Sequence, residues 1–493
     1  MKDLKERTLR GGVARVFAQG ANFFLRLGSL IVLARLLDPK DFGLVGMVTA
    51  VTGVFSLFKD AGLSMATVQR TTISHEEVST LFWLNMAVGL ILGCLSLAIA
   101  PILVSFYQEP RLLYVTAALG AGFLFNAAGV QHSALLQRQM RFVTLSVIET
   151  IALLISIAVG IGMALNGFGY WALVGVAVMA PAVSSICLWS LGTWVPGMPH
   201  RGAKIGSMVR FGSIATLNGL VVYVAYNLEK VLLGRFWGAE ALGIYGRAYQ
   251  LVSIPTENLN SVTGGVLFAA LSRLQHEPDR LKKYFLKSYA LVLSLTLPIS
   301  VACALFADDI IFLALGPKWQ DVVPIFRLLT PTILIFALIN PMYWLFVSIG
   351  LVGRSLKLAL VIAPLVITAY IVGLPYGPRG VAFAYSAVLT LWVIPHLAWC
   401  IHGTIISPRD LLQTVGRPLL STMVAAVFTY VVDLAYAQSL ASLARLSFSG
   451  GILVVVYLWM LLFVMKQKSF YLDLLRGLRK RSPVEGEKSP EVA

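Results

Sequence analysis

Charge is what this sequence has least of. Of its 493 residues only 13% are Asp, Glu, Lys or Arg, about half the share found in an average soluble domain. That shortage, with 58% hydrophobic residues, excludes an ordinary water-soluble fold. Cysteine is nearly absent too. Cys94, Cys187, Cys303 and Cys400 sit singly in apolar runs, with no CxxC pair and with histidines close only to Cys400, which argues against a disulfide framework or a zinc site. They read as small core residues. There is no GxxxxGK[ST], no HExxH and no GxSxG. No loop is long enough to hold a folded domain, so a membrane glycosyltransferase or ligase, which needs a sizeable external loop, is disfavoured. Catalytic residues, bound metals and cofactors are not expected. No small-residue cleavage site follows the first apolar run, so that run reads as a retained helix rather than a signal peptide.

What the chain has instead is apolar stretches of about 20 residues, each long enough to cross the hydrocarbon core of a bilayer. Backbone groups in lipid must bond within their own segment, which makes these stretches helices. The expectation is an all-α, polytopic membrane protein with about fourteen spans. Six run approximately over 13–35, 43–66, 80–105, 112–136, 142–164 and 170–191. Six more follow at approximately 210–234, 241–271, 284–306, 321–349, 354–374 and 380–402. The last two cover approximately 417–437 and 446–465. Pro255, Pro331 and Pro341 fall inside the eighth and tenth spans and predict kinks there.

Lysine and arginine test this map. On the face shared by both termini and the even-to-odd loops they number about 25, against about 7 on the other face. The positive-inside rule then makes both termini cytoplasmic. The same clusters explain the net charge of +16. They read as topology signals and anionic-lipid contacts rather than as a nucleic-acid site. The closing SPVEGEKSPEVA reads as disordered.

An internal repeat organises the spans. ARLLDPKDFGLVG (34–46) and GRFWGAEALGIYG (234–246) align without a gap at an offset of 200. Arg35 falls on Arg235, Gly43 on Gly243 and Gly46 on Gly246, while Phe42 and Leu44 fall on Leu242 and Ile244. Six helices, an even number, separate the copies, so the repeat is parallel, with a site expected between the halves. The domains expected are a six-helix lobe over 1–200, a second over 201–405, two added spans over 406–466 and a basic cytoplasmic tail over 467–493.

Polar residues at membrane depth mark the candidate site. Arg15, Gln19, Asn22 and Arg26 are spaced four, three and four apart and form one stripe on the first span. An arginine such as Arg26, near mid-span, costs about 2.5–3.5 kcal/mol to insert, and such residues face a bundle interior or water. The second span carries Thr49, Thr52, Ser56 and Lys59, ending at Asp60. The seventh has Gly219, Tyr223, Tyr226 and Lys230 with Asn227 and Glu229 alongside, and the eighth Arg247, Gln250, Glu257 and Asn258. These are the leading two helices of each repeat, and together they suggest a hydrated cavity. Elsewhere the polar content is thinner: Asn85, Asn126, Gln131, His132, Glu149, Arg327 and Asn340. His132 reads as a polar core residue. Glu149 and Glu257 are candidates for binding a coupling ion, since buried carboxylates hold protons more tightly.

The stretch LARLLDPKDFGLVGMV after a basic first helix, followed by FKDAGLSMATVQR (58–70), resembles bacterial polysaccharide flippases of the Wzx type. The likeness is to the colanic-acid-exporter branch of the multidrug/oligosaccharidyl-lipid/polysaccharide exporter superfamily, and it extends over essentially the whole chain. It implies two six-helix lobes working by alternating access. The implied substrate is an oligosaccharide repeat unit on undecaprenyl pyrophosphate, moved from cytoplasm to periplasm for exopolysaccharide, capsule or O-antigen synthesis. Polysaccharide polymerase and chain-length machinery are implied partners. Related lipid II flippases use cationic residues on the leading helices, which by location points to Arg26 and Lys59. An ion-coupled multidrug or small-molecule exporter of the same superfamily is the alternative, although such a protein should favour acidic residues in its cavity.

Overall fold

The computed structural model describes residues 2–59, 63–70, 73–192, 194–199, 220, 223–469 and 471–472. Among them every regular element is a helix. Eleven helical stretches are long and apolar enough to cross a membrane, one of which, Gly353–Ile401, holds both the eleventh and the twelfth spans. The seventh span lies largely outside the described residues, and the eighth belongs to the helix Leu228–Arg273. All-α polytopic architecture is therefore what the chain adopts.

Local chemistry sets the helix ends. The second span, Pro39–Phe58, begins with Asp38 at the N-cap and proline in the first turn, and the Asp38 backbone N–H donates to Asp41 at 3.1 Å. Proline lacks the N–H that a first turn leaves unused, and the acidic side chain satisfies an orphan donor. The third span, His75–Tyr107, starts with a Ser74/Glu77 capping box. Pro255 does not break the eighth span, through which the helix runs on. The interruption in Leu228–Arg273 is at Gly238, in the turn between the seventh and eighth spans, with φ 82°, a conformation that only glycine adopts freely. The tenth span does break, into Val322–Leu329 and Pro331–Ser348, and the Ser300 hydroxyl donates to the Thr330 carbonyl at that break at 3.0 Å.

Side-chain contacts join odd-to-even loops to one another and even-to-odd loops to one another. At the turn after the first span, the Trp319 indole donates to the Ala34 carbonyl at 2.8 Å and Lys318 pairs with Asp38 at 2.8 Å. The Trp237 indole donates to the Leu374 carbonyl at 2.8 Å. Arg111 donates to Glu109 at 2.7 and 2.9 Å, and this hydrogen bonding holds the Glu109 carboxyl below the usual carboxylate range. All of these belong to odd-to-even loops. Even-to-odd segments meet one another in turn: Arg138 donates to the Thr67 carbonyl at 3.0 Å and to the Arg70 carbonyl, and Arg70 pairs with Glu77.

The chain divides into two compact units. One comprises 1–251, 314–329 and 356–389; the other comprises 252–313, 330–355 and 390–493. Within the second unit, Lys282 pairs with Asp410 at 2.6 Å, and Arg354 donates to the His402 carbonyl at 2.6 Å. The last two spans are fastened there by Arg445, which reaches Asp433 at 2.5 Å and Asp309 at 3.5 Å, and by an apolar cluster of Phe306, Ala425, Leu453, Tyr457 and Leu461.

The repeat is visible in the tight packing of the first unit. A Cβ on Gly43 would overlap the Ala239 carbonyl, and a Cβ on Gly243 would overlap the Pro39 carbonyl. Residues 39 and 239, like 43 and 243, are partners at the offset of 200, so the contact is reciprocal. Residue i meets j′ and j meets i′, as across a twofold axis.

Trp319 offers a stability test of this face. It is fully buried, stacks edge-on against Phe42 at 5.4 Å and donates to Ala34. Trp319→Ala is expected to cost about 3–5 kcal/mol, read as a lower melting temperature of detergent-solubilised protein. A melting temperature within a degree or so of wild type would remove Trp319 as an anchor of this face.

Candidate functional site

A cavity of about 620 Å³ lies in the first unit, lined by the first, second, fourth, fifth and sixth spans. Its polar wall is built from the stripes on the two leading helices. Asn22 and Arg26, four apart, come from the first span, and Thr49, Thr52, Ser56 and Lys59, spaced three, four and three, come from the second. Spacing of this kind keeps side chains on one helical face. The remaining helices contribute Asn126, Glu149 and Ser184. The opposite wall is small and apolar, with Gly122, Ala152, Ala177 and Ala180 among its residues, which leaves the volume open. Thr52 and Thr49 donate back to the carbonyls of Val48 at 2.9 Å and Gly46 at 3.2 Å. Their hydroxyl protons are used within the helix, and the lone pairs remain as acceptors.

Two cations, Arg26 and Lys59, outnumber the one carboxylate, Glu149, in this lining. Arg26 and Lys59 are both exposed to the open volume rather than packed in protein. Coulomb attraction between unit charges 4 Å apart rises from about 1 kcal/mol in water to about 4 kcal/mol at an effective dielectric of 20. A cavity walled by lipid-facing helices therefore attracts anions more strongly than a solvated surface does.

Of the residues singled out in the sequence, the structure brings Asn22, Arg26, Lys59 and Glu149 together here. Gln19 is exposed, outside the lining. The Arg15 side chain and Asp60 lie outside the described residues. The others stand elsewhere. The Tyr223 hydroxyl donates to the Thr49 and Ala50 carbonyls at 3.2 Å each, a helix-to-helix contact on the second span. Lys230 donates to Asn227 at 2.7 Å and sits 5.7 Å over the Tyr249 ring. Arg247 packs 4.4 Å over Phe42, and its Nε has no hydrogen-bond partner. Gln250 and Glu257 are exposed. His132 is buried among Trp189 at 4.7 Å and Trp194 at 5.1 Å, in keeping with a polar core residue.

Sequence reasoning missed Ser184 and left Asn126 among the thin polar content. A single polar residue on an apolar helix carries no stripe to fix its direction. It also left Glu229 as a flanking residue, whereas the carboxyl proves to be fully buried with neither oxygen hydrogen-bonded.

Comparison with known proteins agrees with this picture. A family described as "Polysaccharide biosynthesis protein" matches residues 32–324. The chain belongs to that family. Relatives include the lipopolysaccharide biosynthesis protein WzxC of Escherichia coli K12, 27% identical over 75% of this chain and 76% of its own length. The teichuronic acid biosynthesis protein TuaB of Bacillus subtilis is 30% identical over 57% of this chain and 59% of its own. The succinoglycan biosynthesis transport protein ExoT of Rhizobium meliloti is 23% identical over 64% of each. Among solved structures, the lipid II flippase MurJ in an inward closed conformation matches with a TM-score of 0.75 and 14% identity, covering 94% of this chain and all of the other. A multidrug transporter of the MATE family, facing inward, reaches 0.62 at 15% identity, with 79% and 97% covered. These structural likenesses establish a shared fold.

Proposed function

We propose that the chain is a bacterial inner-membrane flippase that carries undecaprenyl-pyrophosphate-linked oligosaccharide repeat units from cytoplasm to periplasm. Both termini and the even-to-odd loops are cytoplasmic in this reading. The observation that carries it is the excess of Arg26 and Lys59 over Glu149 in a cavity otherwise lined by hydroxyl and amide groups. A pyrophosphate is the part of this substrate that hydrocarbon excludes most strongly. Arginine binds such oxygens through paired, charge-assisted hydrogen bonds. Neutral polar groups suit a sugar, and the isoprenoid stays in lipid. Relatives named for lipopolysaccharide, teichuronic acid and succinoglycan synthesis support the substrate class. The alternative, an exporter of cationic drugs, is disfavoured by the same excess of positive charge. The unit delivered outside would pass to a polysaccharide polymerase and its chain-length partner.

The test is a gene deletion in cells fed radioactive sugar, followed by lipid extraction. The expected result is accumulation of an undecaprenyl-linked repeat unit with loss of surface polysaccharide, both reversed by the wild-type gene. Normal lipids and normal polysaccharide, in a strain without a second flippase gene, would turn the assignment toward a small-molecule exporter.

A further inference from the structure

We infer that Glu229 is a proton-binding site: its carboxyl takes up a proton in this conformation and releases it when the surrounding helices part. The second half of the inference, that this proton is coupled to substrate movement, rests on the flippase reading above; the first half does not.

Glu229 is 1% exposed, and among the described residues neither of its oxygens has a hydrogen-bond partner. It lies in the first turn of the helix Leu228–Arg273, just after a turn at Tyr226–Asn227 that interrupts the seventh span. Lys230 is the one charged side chain acting on it, and the other groups around it are phenols. Tyr245 and Tyr385 are buried with their hydroxyls unpartnered, and Tyr370 is buried beside them. Tyr245, Tyr370 and Tyr385 all lie within the field of the Glu229 charge. Tyr370 and Tyr385 stack at 5.5 Å, and Tyr245 and Tyr249 at 6.3 Å. Tyr226, Tyr223 and Lys230 are the other titratable groups on the same span among the described residues.

The cation nearest in sequence is otherwise engaged. Lys230 donates to Asn227 at 2.7 Å and lies over the Tyr249 ring. The carboxyl thus has no paired counter-ion, and a buried charge without one is strongly disfavoured. The acid form, –COOH, fits the same space and carries no charge to bury. A bound metal ion is a poorer fit, because hard cations need several oxygen ligands and prefer carboxylates and carbonyls. Among the described residues no group of three His, Cys, Asp or Glu side chains converges anywhere.

The surroundings also supply a way to let the proton go. The carboxyl sits at the start of a helix, where partial positive charge favours the anion once water reaches it. Its phenol neighbours come from three other stretches, around Tyr245, Tyr370 and Tyr385, so a movement that parts these helices hydrates the acid. Binding and release are then tied to conformation. The two carboxylates expected from the sequence are less suited. Glu149 shares its cavity with Arg26 and Lys59, and Glu257 is exposed.

Infrared difference spectra of the full-length protein in lipid, titrated with pH, test the site without any substrate. Wild type should lose a protonated-carboxyl C=O band on alkalinisation. Glu229→Gln should lack that band while Glu257→Gln keeps it. A band that persists in Glu229→Gln overturns the assignment. A signal that responds to sodium at fixed pH and not to pH makes this a sodium site and overturns the proton. Where Glu229→Gln does not purify as a folded protein, Tyr385→Phe replaces it: loss of that one hydroxyl should shift the band, and an unshifted band counts against the site.

Coupling is read in vesicles holding a lipid-linked oligosaccharide. With one proton moved per substrate, a gradient of one pH unit shifts the leaflet ratio by up to about tenfold. Glu229→Gln should reduce that shift to none. A full shift in the variant overturns coupling through Glu229. Absence of flipping in wild type, with the infrared band intact, tells against the transport reading and leaves the proton site standing.

Discussion

Arg26→Ala is expected to abolish surface polysaccharide in a strain relying on this chain, while the protein inserts in the membrane at wild-type abundance. The argument is local. Arg26 is exposed to the cavity, and the side chain spans a polar wall that it shares with Asn22 and Lys59. Removing it leaves no apolar core group missing, so folding should survive. What is lost, on the proposed reading, is a charge-assisted contact to a phosphate oxygen, about 1.5–3 kcal/mol for each hydrogen bond to a charged group. That corresponds to a fall of roughly one to two orders of magnitude in affinity. Lysine keeps the charge but not the planar fork, so Arg26→Lys should fall between the two. The measurement is lipid-linked repeat unit accumulated inside the cell, with immunoblotting of membranes for abundance. Equal transport by a normally expressed Arg26→Ala would remove Arg26 from the site. Lys59→Ala should act in the same direction, since it supplies the other cation.

How much of this was legible before the coordinates depended on whether a residue belonged to a pattern. The spans were, because a bilayer demands about 20 apolar residues whatever their neighbours. So was the sorting of loops: Arg138 with Arg70 on one face and Trp319 with Ala34 on the other follow from counting helices. The cavity wall of the first two spans was legible because Asn22 and Arg26, and Thr49 to Lys59, repeat at helical spacing. Direction is what a stripe adds, and lone residues lack it. Ser184 and Asn126 carry no such information; their place depends on how the fourth and sixth spans rotate. Glu229 was hidden for a different reason. Tyr370 and Tyr385, which lie in its field, are more than a hundred residues downstream, and no local pattern announces a neighbourhood of that range. Tyr223 and Arg247 show the converse. Both were placed on the site by periodicity, and in this conformation both are taken up by contacts with the second span and its preceding turn.

Substituting Gly43 or Gly243 by valine should be as damaging as losing Arg26, for a reason of shape rather than charge. In each case a side chain would meet a backbone carbonyl, Ala239 for Gly43 and Pro39 for Gly243. Backbone cannot step aside as a flexible side chain does, so overpacking here forces the two turns apart. Both variants should insert but fail to close the two turns on each other, and transport should fall at least tenfold. Reciprocity makes the prediction sharper: Gly43→Val and Gly243→Val should have matching effects, because each residue does for one repeat what the other does for its partner. Gly46 and Gly246 serve as controls at the next repeat position. A Cβ on Gly46 meets only Leu242 at 3.4 Å, and one on Gly246 meets nothing within 4 Å. Alanine at those two sites should be tolerated. Closure can be followed by disulfide trapping of Pro39→Cys with Ala239→Cys, whose yield should drop in the presence of Gly43→Val. Unchanged trapping together with unchanged transport would mean that the two turns do not meet during the cycle. A severe Gly43→Val beside a silent Gly243→Val would instead break the twofold relation between the repeats, since a symmetric seam cannot be wedged from one side alone.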